Sequence, residues 1–381
     1  MMYEMKGIRY AGGLFQFLIA IAMAWLGCIA LVSCDQRETD GAEAQAEANI
    51  TLTLCLKGTD ENSSTRAGAS SEKQLSSRGE DAGTENTDSE MENRIDFSRF
   101  HVVFYDADRR MAGVLQKMVL IHMGGNIYQL TGTLPVSNKV LVGNHFEGKM
   151  VVYANFNMSE EDLQKDYNDK GIAQKSFDYE ANPKYLPMWG VKKVSFTLTA
   201  GKRQDFSDVD LLRAVAKVKV NLSNEMKKNG WSIHSMQLIN YNDKGYCMPV
   251  KYARCEQTAS LTHEEFEHFY ESKKTDSIPM KDNVPIYLPE YQNSRKGVDK
   301  CVIKLKLFRN ETVEKDNSGN EKEYTLRFIN YTDDGAEGTT INNIVRDHYY
   351  TFEVYKGSNG QNLVKLTVRK WNVRNHDNIV M

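Results

Sequence analysis

What the sequence lacks narrows it first. Among its 381 residues there is no Cys-x-x-Cys pair, no Cys/His spacing suited to a metal ion, no Gly-x-Ser-x-Gly and no phosphate-binding glycine loop. Charge of one sign is missing too: 48 Lys and Arg are interspersed with 51 Asp and Glu, for a net charge of −3 and no basic stripe. A nucleic acid is therefore not expected as a partner. His263-Glu264-Glu265-Phe266-Glu267-His268 looks like a zincin helix, but its histidines stand one residue too far apart to share a metal on one helix face. Asp333-Asp334-Gly335 lacks the alternating acidic positions of a calcium loop and reads as a hairpin turn. Neither catalysis nor any cofactor or metal is expected.

A long apolar run occurs once. Lys6 and Arg9 precede an apolar segment from Leu14 to Ala30, which continues into Leu31-Val32-Ser33-Cys34. That is the pattern of a bacterial lipoprotein signal, with Ser33 as the small residue before the cut and Cys34 as the acylated residue. The thiol becomes a thioether to diacylglycerol and the freed amine takes a further acyl chain. Each buried methylene contributes roughly 0.8 kcal/mol, so more than one chain anchors stably. A transmembrane anchor is the competing reading, since Leu14 to Ser33 is long enough to span a bilayer. Asp35 and Gln36 directly behind Cys34 favour the lipid. Cys28 is a poorer acceptor, because Trp25 stands where Leu or Val is wanted, and Met5 is an alternative start that changes nothing here. Residues 1–33 are thus read as the signal peptide, and 34–49, acidic and Ala-rich, as a flexible tether.

Beyond the tether the pattern is that of strands. Ile50, Leu52, Leu54 and Leu56 alternate with Thr51, Thr53 and Cys55, which predicts a strand with one apolar face. Residues 58–94 then offer almost no apolar side chains and cannot offset their ordering entropy, so a mobile loop is predicted there. Further strands are predicted at Phe100–Tyr105, Val114–Ile121, Ile127–Leu134, Lys139–Val142, Met150–Ala154 and Val191–Leu198. Gly124-Gly125-Asn126 makes a tight hairpin, and Pro187-Met188-Trp189-Gly190 reads as a turn. Leu212–Leu222 alternates most clearly, with an apolar face opposite a wet face carrying Arg213, Lys217 and Lys219.

Later strands are predicted at Ile233–Ile239, Pro285–Leu288, Lys300–Phe308, Tyr324–Ile329, His348–Tyr355 and Leu363–Val373. Short helices are expected at Ser159–Tyr167, with Ser159 as cap, and at His263–Tyr270, with Thr262 and Glu265 as a capping box. The fold class is mainly β: two tandem antiparallel β-sandwiches with short helices in the connections, spanning 50–205 and 206–381.

Four cysteines remain behind the signal region. Cys247 and Cys255 are either bridged across a turn or simply buried, and Cys301 packs as a small apolar side chain. Trp189 and Tyr185 near Pro187 are either an aromatic platform for a glycan or plain packing, and Arg369-Lys370-Trp371 reads as an exposed edge.

Leu211-Leu212-Arg213-Ala214-Val215-Ala216-Lys217-Val218 resembles the central motif of the fimbrillins, the subunits of type V pili. Val152-Tyr153-Ala154-Asn155, Met188-Trp189-Gly190, Ile286-Tyr287-Leu288-Pro289-Glu290 and His348-Tyr349-Tyr350-Thr351-Phe352, in that order with Trp371 behind them, look like further landmarks of the family. The resemblance implies transthyretin-like sandwiches in a structural or accessory (tip or adhesin) subunit that reaches the outer membrane through a lipid on Cys34. It also implies a trypsin-like protease that cuts after an Arg behind the first strand, so that Ile50–Leu56 leaves and a strand of another subunit takes its slot.

Arg66 in Ser64-Thr65-Arg66-Ala67-Gly68 looks most like that site, with Arg78 and Arg94 as alternatives. Proteolysis of arginines in a merely disordered linker is the plain reading of the same residues. The donor strand would hold Val364, Leu366 and Val368. Partners implied are other fimbrial subunits, the protease, the outer membrane and a host protein or glycan, with a mature location at the cell surface and then in the fimbrium. A non-polymerising surface lipoprotein, a fimbrial anchor or a glycan-binding module, is the alternative.

Overall fold

The computed structural model describes residues 46–55, 92–124, 127–136, 141–199, 202–261, 267–270, 273–310, 321–357 and 362–371, with the backbone alone described for most of 46–55. The chain is mainly β. In order come β1 (Ala46–Cys55), β2 (Phe100–Asp106), β3 (Met111–Val114), β4 (Gln116–Gly124), β5 (Ile127–Val136) and β6 (His145–Ala154). Helix α1 (Glu160–Leu163), β7 (Ser176–Asp178), β8 (Met188–Thr197), β9 (Arg203–Asp210) and β10 (Leu212–Arg213) complete the first half. The second half runs β11 (Ala216–Leu222), α2 (Asn224–Lys228), β12 (Trp231–Asn242), β13 (Lys244–Tyr246), β14 (Lys273–Pro279), β15 (Ile286–Leu288) and β16 (Val302–Arg309). It closes with β17 (Glu321–Arg327), β18 (Ile329–Tyr331), β19 (Glu337–Ile341), β20 (His348–Lys356) and β21 (Asn362–Lys370).

Two sandwiches result. In the first, sheet β4-β5-β1-β9 faces sheet β10-β8-β6-β2-β3. Phe100, Val102, Phe104, Leu130, Leu134, Phe146, Met150 and Val152 fill the space between them. Each such side chain taken fully out of water contributes roughly 1.5–3 kcal/mol. The five-stranded sheet is apolar on its other face as well, through Val103, Tyr105, Val151, Tyr153 and Trp189. That is why β2 reads as an almost unbroken apolar run rather than an alternation. Gly148 is required here, since a Cβ would stand 2.0 Å from the Tyr105 carbonyl oxygen.

The outer face is covered by the second half of the chain. Cys247, Met248, Tyr252, Cys255 and Leu261 pack onto it, and β13 pairs with β7 across the junction. In the second sandwich, sheet β15-β11-β20-β21 packs on β14-β12-β16-β17, around Val218, Val220, Leu238, Ile303, Leu305, Leu307, Tyr350 and Phe352.

Several expectations shift. The first strand starts at Ala46, within the expected tether, because β5 continues to Val136 and offers backbone partners to Ala46–Asn49. Strand β9 pairs with β1, and β10 with β8, so Arg203–Arg213 contributes to both sheets of the first sandwich. The alternating stretch Leu212–Leu222 is accordingly two strands in two sheets. Met188–Gly190 is the start of β8, paired with Val152–Ala154, and not a turn. Val142 forms only an isolated bridge to His145.

The capping box at Ser159 and Asp162 is present, but α1 is a single turn. Residues 267–270 are irregular rather than helical, and the rest of that predicted helix, its capping pair included, lies outside the described residues. The Asp333-Asp334-Gly335 turn joins β18 to β19, with Gly335 at φ +75°, and β4 and β5 close through Gly124 and Ile127 as a hairpin.

Candidate assembly site

Strand β1 is an interior member of its sheet, between β5 and β9. Its ten residues pair antiparallel with β5, from Ala46 opposite Val136 to Cys55 opposite Ile127. On its other side it runs parallel to β9, from Asn49 beside Arg203 to Cys55 beside Asp210, with an irregularity between Leu52 and Leu54. Without β1, both β5 and β9 would present unpaired backbone groups along a slot. Cys34, Arg66 and Arg78 lie outside the described residues.

Glu92, at the far end of the expected mobile loop, is tightly bound. Glu92 is 1% exposed and Asn93 6%. The Glu92 carboxylate pairs with Lys217 Nζ at 2.5 Å, and it accepts hydrogen bonds from Tyr287 Oη at 2.8 Å and Trp371 Nε1 at 3.0 Å. Arg213 donates from Nε to the Glu92 carbonyl at 3.3 Å and from Nη2 to Asn93 Oδ1. Its Nη1 stands 3.5 Å from Asp347 Oδ1, whose carboxyl burial pushes up to about 6 against the pull of Arg213. A polar composition predicts mobility only where the residues stay in water, and a carboxylate met by three donors is stable in the interior.

Arg213, Lys217 and Lys219 are 1%, 7% and 8% exposed, so the face expected to be wet is covered. Trp371, 2% exposed, forms part of the cover and so departs from the reading of its tripeptide as an exposed edge, whereas Arg369 and Lys370 are exposed on the edge strand as expected. Its ring stacks on Tyr287 at 5.7 Å and 11° and lies under the Arg213 guanidinium at 4.7 Å, while its backbone N–H donates to the Asp347 carbonyl at 2.8 Å. Arg94 is exposed, but its carbonyl accepts from Asn155 Nδ2 at 2.9 Å.

The expected donor residues sit in a paired strand. Strand β21 matches β20 along its whole length, from His348 opposite Lys370 to Lys356 opposite Asn362. Val364 is buried, Leu366 half-buried and Val368 exposed.

Trp189 cannot form a glycan platform, because it is fully buried in the first sandwich. Tyr185 instead lines a cleft of about 220 Å³ beside Arg99, Phe177, Tyr179, Pro187 and Tyr287, with the Arg99 guanidinium 5.4 Å from its ring centre. Cys247, Cys255 and Cys301 are buried free thiols, and burial pushes Cys247 and Cys301 well above the usual thiol range. His263 lies outside the described residues. His268 stacks on Tyr246 at 3.9 Å with Nδ1 2.8 Å from the Met248 carbonyl oxygen. Among the described residues no three His, Cys, Asp or Glu side chains gather as a metal site.

Sequence reasoning missed the polar groups that hold the junction. Besides Glu92 these are Glu290 and Arg346, each with its side chain 1% exposed and 2.7 Å apart, with Arg346 also donating to the Tyr246 and Cys247 carbonyls. A signal was nevertheless present. Three of the landmark stretches converge here: Asn155 holds the Arg94 and Leu186 carbonyls, Tyr287 meets Glu92 and Glu290 meets Arg346, and Arg213 and Lys217 line the socket.

The sequence model describing the fimbrillin-A associated anchor proteins Mfa1 and Mfa2 matches residues 75–377. No curated protein matches the chain significantly. Among solved structures, a fimbrial assembly protein from Parabacteroides distasonis ATCC 8503 superposes with a TM-score of 0.47 at 15% identity, covering 85% of this chain and 96% of that one. A proposed cell adhesion protein from the same strain gives 0.44 at 12% identity, covering 87% and 100%. Another, from Bacteroides uniformis ATCC 8492, gives 0.40 at 8% identity, covering 88% and 100%. With four-fifths of its length matched by one family description, the chain belongs to the fimbrillin-A associated anchor proteins, a fimbrial family of the cell surface.

Proposed function

We propose that this chain is an accessory subunit of a surface fimbria that serves as its anchor, exported as a lipoprotein acylated at Cys34. The observation that carries the reading is the seating of β21: all nine of its residues pair with β20 and the next residue, Trp371, is buried. A stalk subunit that lends its C-terminal strand to a neighbour needs that strand free, whereas an anchor can keep it. Anchoring also suits the topology of β1. Cys34 precedes β1 in the chain, so tension between lipid and fimbria enters through a strand bonded on both sides, which loads many hydrogen bonds together rather than one after another.

Metabolic palmitate labelling and N-terminal analysis of the protein on intact cells test this. The expected result is an acylated Cys34 and an uncut chain. A mature N-terminus at Ala67 without lipid overturns it.

That second outcome has its own support, the interior position of β1. In that reading a trypsin-like protease cuts after Arg66, β1 leaves, and an extended strand of another subunit pairs with β5 and β9 by donor-strand exchange. The subunit would then be an accessory or tip component carrying no lipid. Its expected signature is a residue 46–55 segment missing from purified fimbriae.

A further inference from the structure

The socket around Glu92 joins two parts of the chain that the fold otherwise keeps separate: the segment following the β1 connection and the end of the last strand. We infer that Glu92 is a latch that holds the end of β21 in its own sheet and closes the Arg94–Ile95 bond to proteolysis. The inference goes beyond the anchor reading and does not depend on whether β1 is retained.

Four observations support it. The Glu92 carboxylate reaches three elements of the second sandwich at once, through Lys217 on β11, Tyr287 on β15 and Trp371 directly behind β21. Lys217 is itself buried, with its ammonium 4.8 Å from the Tyr349 ring and 5.8 Å from Trp371, so withdrawing Glu92 leaves a cation in a dry aromatic site. Such a charge costs far more than a surface ion pair, and the site opens to admit water. Arg94 is only two residues on, and its backbone is fixed by Glu92 and Asn93 on one side and by Asn155 on the other. A protease needs several residues in extended, accessible form around the bond it cuts. The exposed Arg94 side chain is therefore a target in composition but not in conformation.

Strand β21 in turn is an edge strand, paired in its sheet with β20 alone among the described residues. Val364 is buried, but the outer part of the strand, Thr367 to Lys370, is exposed. The burial of Trp371, its indole bond to Glu92 and its backbone bond to the Asp347 carbonyl together fix that outer end. Freed of it, residues Thr367 to Lys370 have few apolar contacts to keep them paired.

Limited trypsin digestion of the full chain in detergent, with fragments read by mass spectrometry, tests the latch. The intact protein should be cut slowly after Arg94, Arg369 and Lys370. Glu92→Ala should speed all three by on the order of tenfold or more. Trp371→Phe, which keeps the ring but loses its N–H, should speed Arg369 and Lys370 more than Arg94. Equal rates at Arg94 in the intact protein and Glu92→Ala overturn the inference, as do unchanged rates at Arg369 and Lys370.

Cleavage after the buried Lys219 reports loss of the whole sandwich. Where Glu92→Ala shows it, Glu92→Gln, which keeps the shape and one acceptor, decides. Acceleration confined to Arg94, Arg369 and Lys370 supports the latch, and uniform acceleration or none overturns it. Each result is independent of the state of Cys34 on cells.

Discussion

The two sandwiches use their first strands in the same way and connect them differently. In the first, β1 lies between an antiparallel neighbour, β5, and a parallel one, β9. In the second, β11 lies between antiparallel β15 and parallel β20. Yet β11 passes into β12 through the short α2, whose Ser223 cap receives the Met226 N–H. Between β1 and β2, by contrast, stand 44 residues, Leu56 to Arg99, mostly polar. The same pairing pattern thus has a short, capped connection in one half and a long, polar one in the other. Loop closure costs little more free energy as a loop lengthens, so the long connection is thermodynamically cheap.

That contrast is open to breaking. The largest effect is expected in β11: Val220→Asp puts an unpaired carboxylate at a fully buried position and should cost more than about 4 kcal/mol, read as loss of the folded second sandwich by circular dichroism and calorimetry. Removing β1 by starting the chain at residue 57 should leave the second sandwich's unfolding transition in place, and a synthetic 46–55 peptide should restore the first. If loss of β1 unfolds both halves together, the contrast fails.

The buried pair at the junction comes next. Glu290→Ala leaves Arg346 charged and unpaired in the interior and should cost about 3–5 kcal/mol in denaturant unfolding. Burial raises the Glu290 pKa and Arg346 pulls it back, so the pair is held together against desolvation. Because Arg346 also binds the Tyr246 and Cys247 carbonyls, the segment covering the first sandwich should loosen as well, and hydrogen exchange there would register it.

The smallest effect is a pH dependence at His268. Burial lowers its pKa from 6.5 to about 4, with the Met248 carbonyl opposing and Arg346 reinforcing. The unfolded chain therefore takes up the proton first, and the neutral ring's contribution, fully present above pH 6.5, is lost as pH falls toward 4. His268→Phe should flatten the decline in melting temperature between those limits. An unchanged slope would mean that the ring is solvated.

Much of the β architecture was legible because alternation has a local cause. Strands such as β16, with Ile303, Leu305 and Leu307 inward and Lys304 outward, announce themselves through side-chain period. The Ser159 cap and the Gly335 turn were equally visible, since each answers a local backbone demand. The start of β8 was harder and read as a turn, because its sheet is covered on both faces and the cover comes from residues 247–261, far along the chain.

Polar residues misled for the same reason. Arg213 and Lys217 have the pattern of a solvated face, and only the arrival of Glu92 and Trp371 buries them. Trp189 and Tyr185, close neighbours in sequence, ended in different environments, one in the core and one in a cleft.

By itself, then, the sequence determined a β fold, several of its turns and the order of the family's landmarks, all of which rest on residues close together in the chain. Only the tertiary structure decided that a glutamate at the end of a polar stretch is a buried anchor, that β9 belongs with β1, and that the last strand is fastened at its tip. Those facts depend on partners more than a hundred residues away, and the environment that makes a buried charge favourable exists only once they have come together.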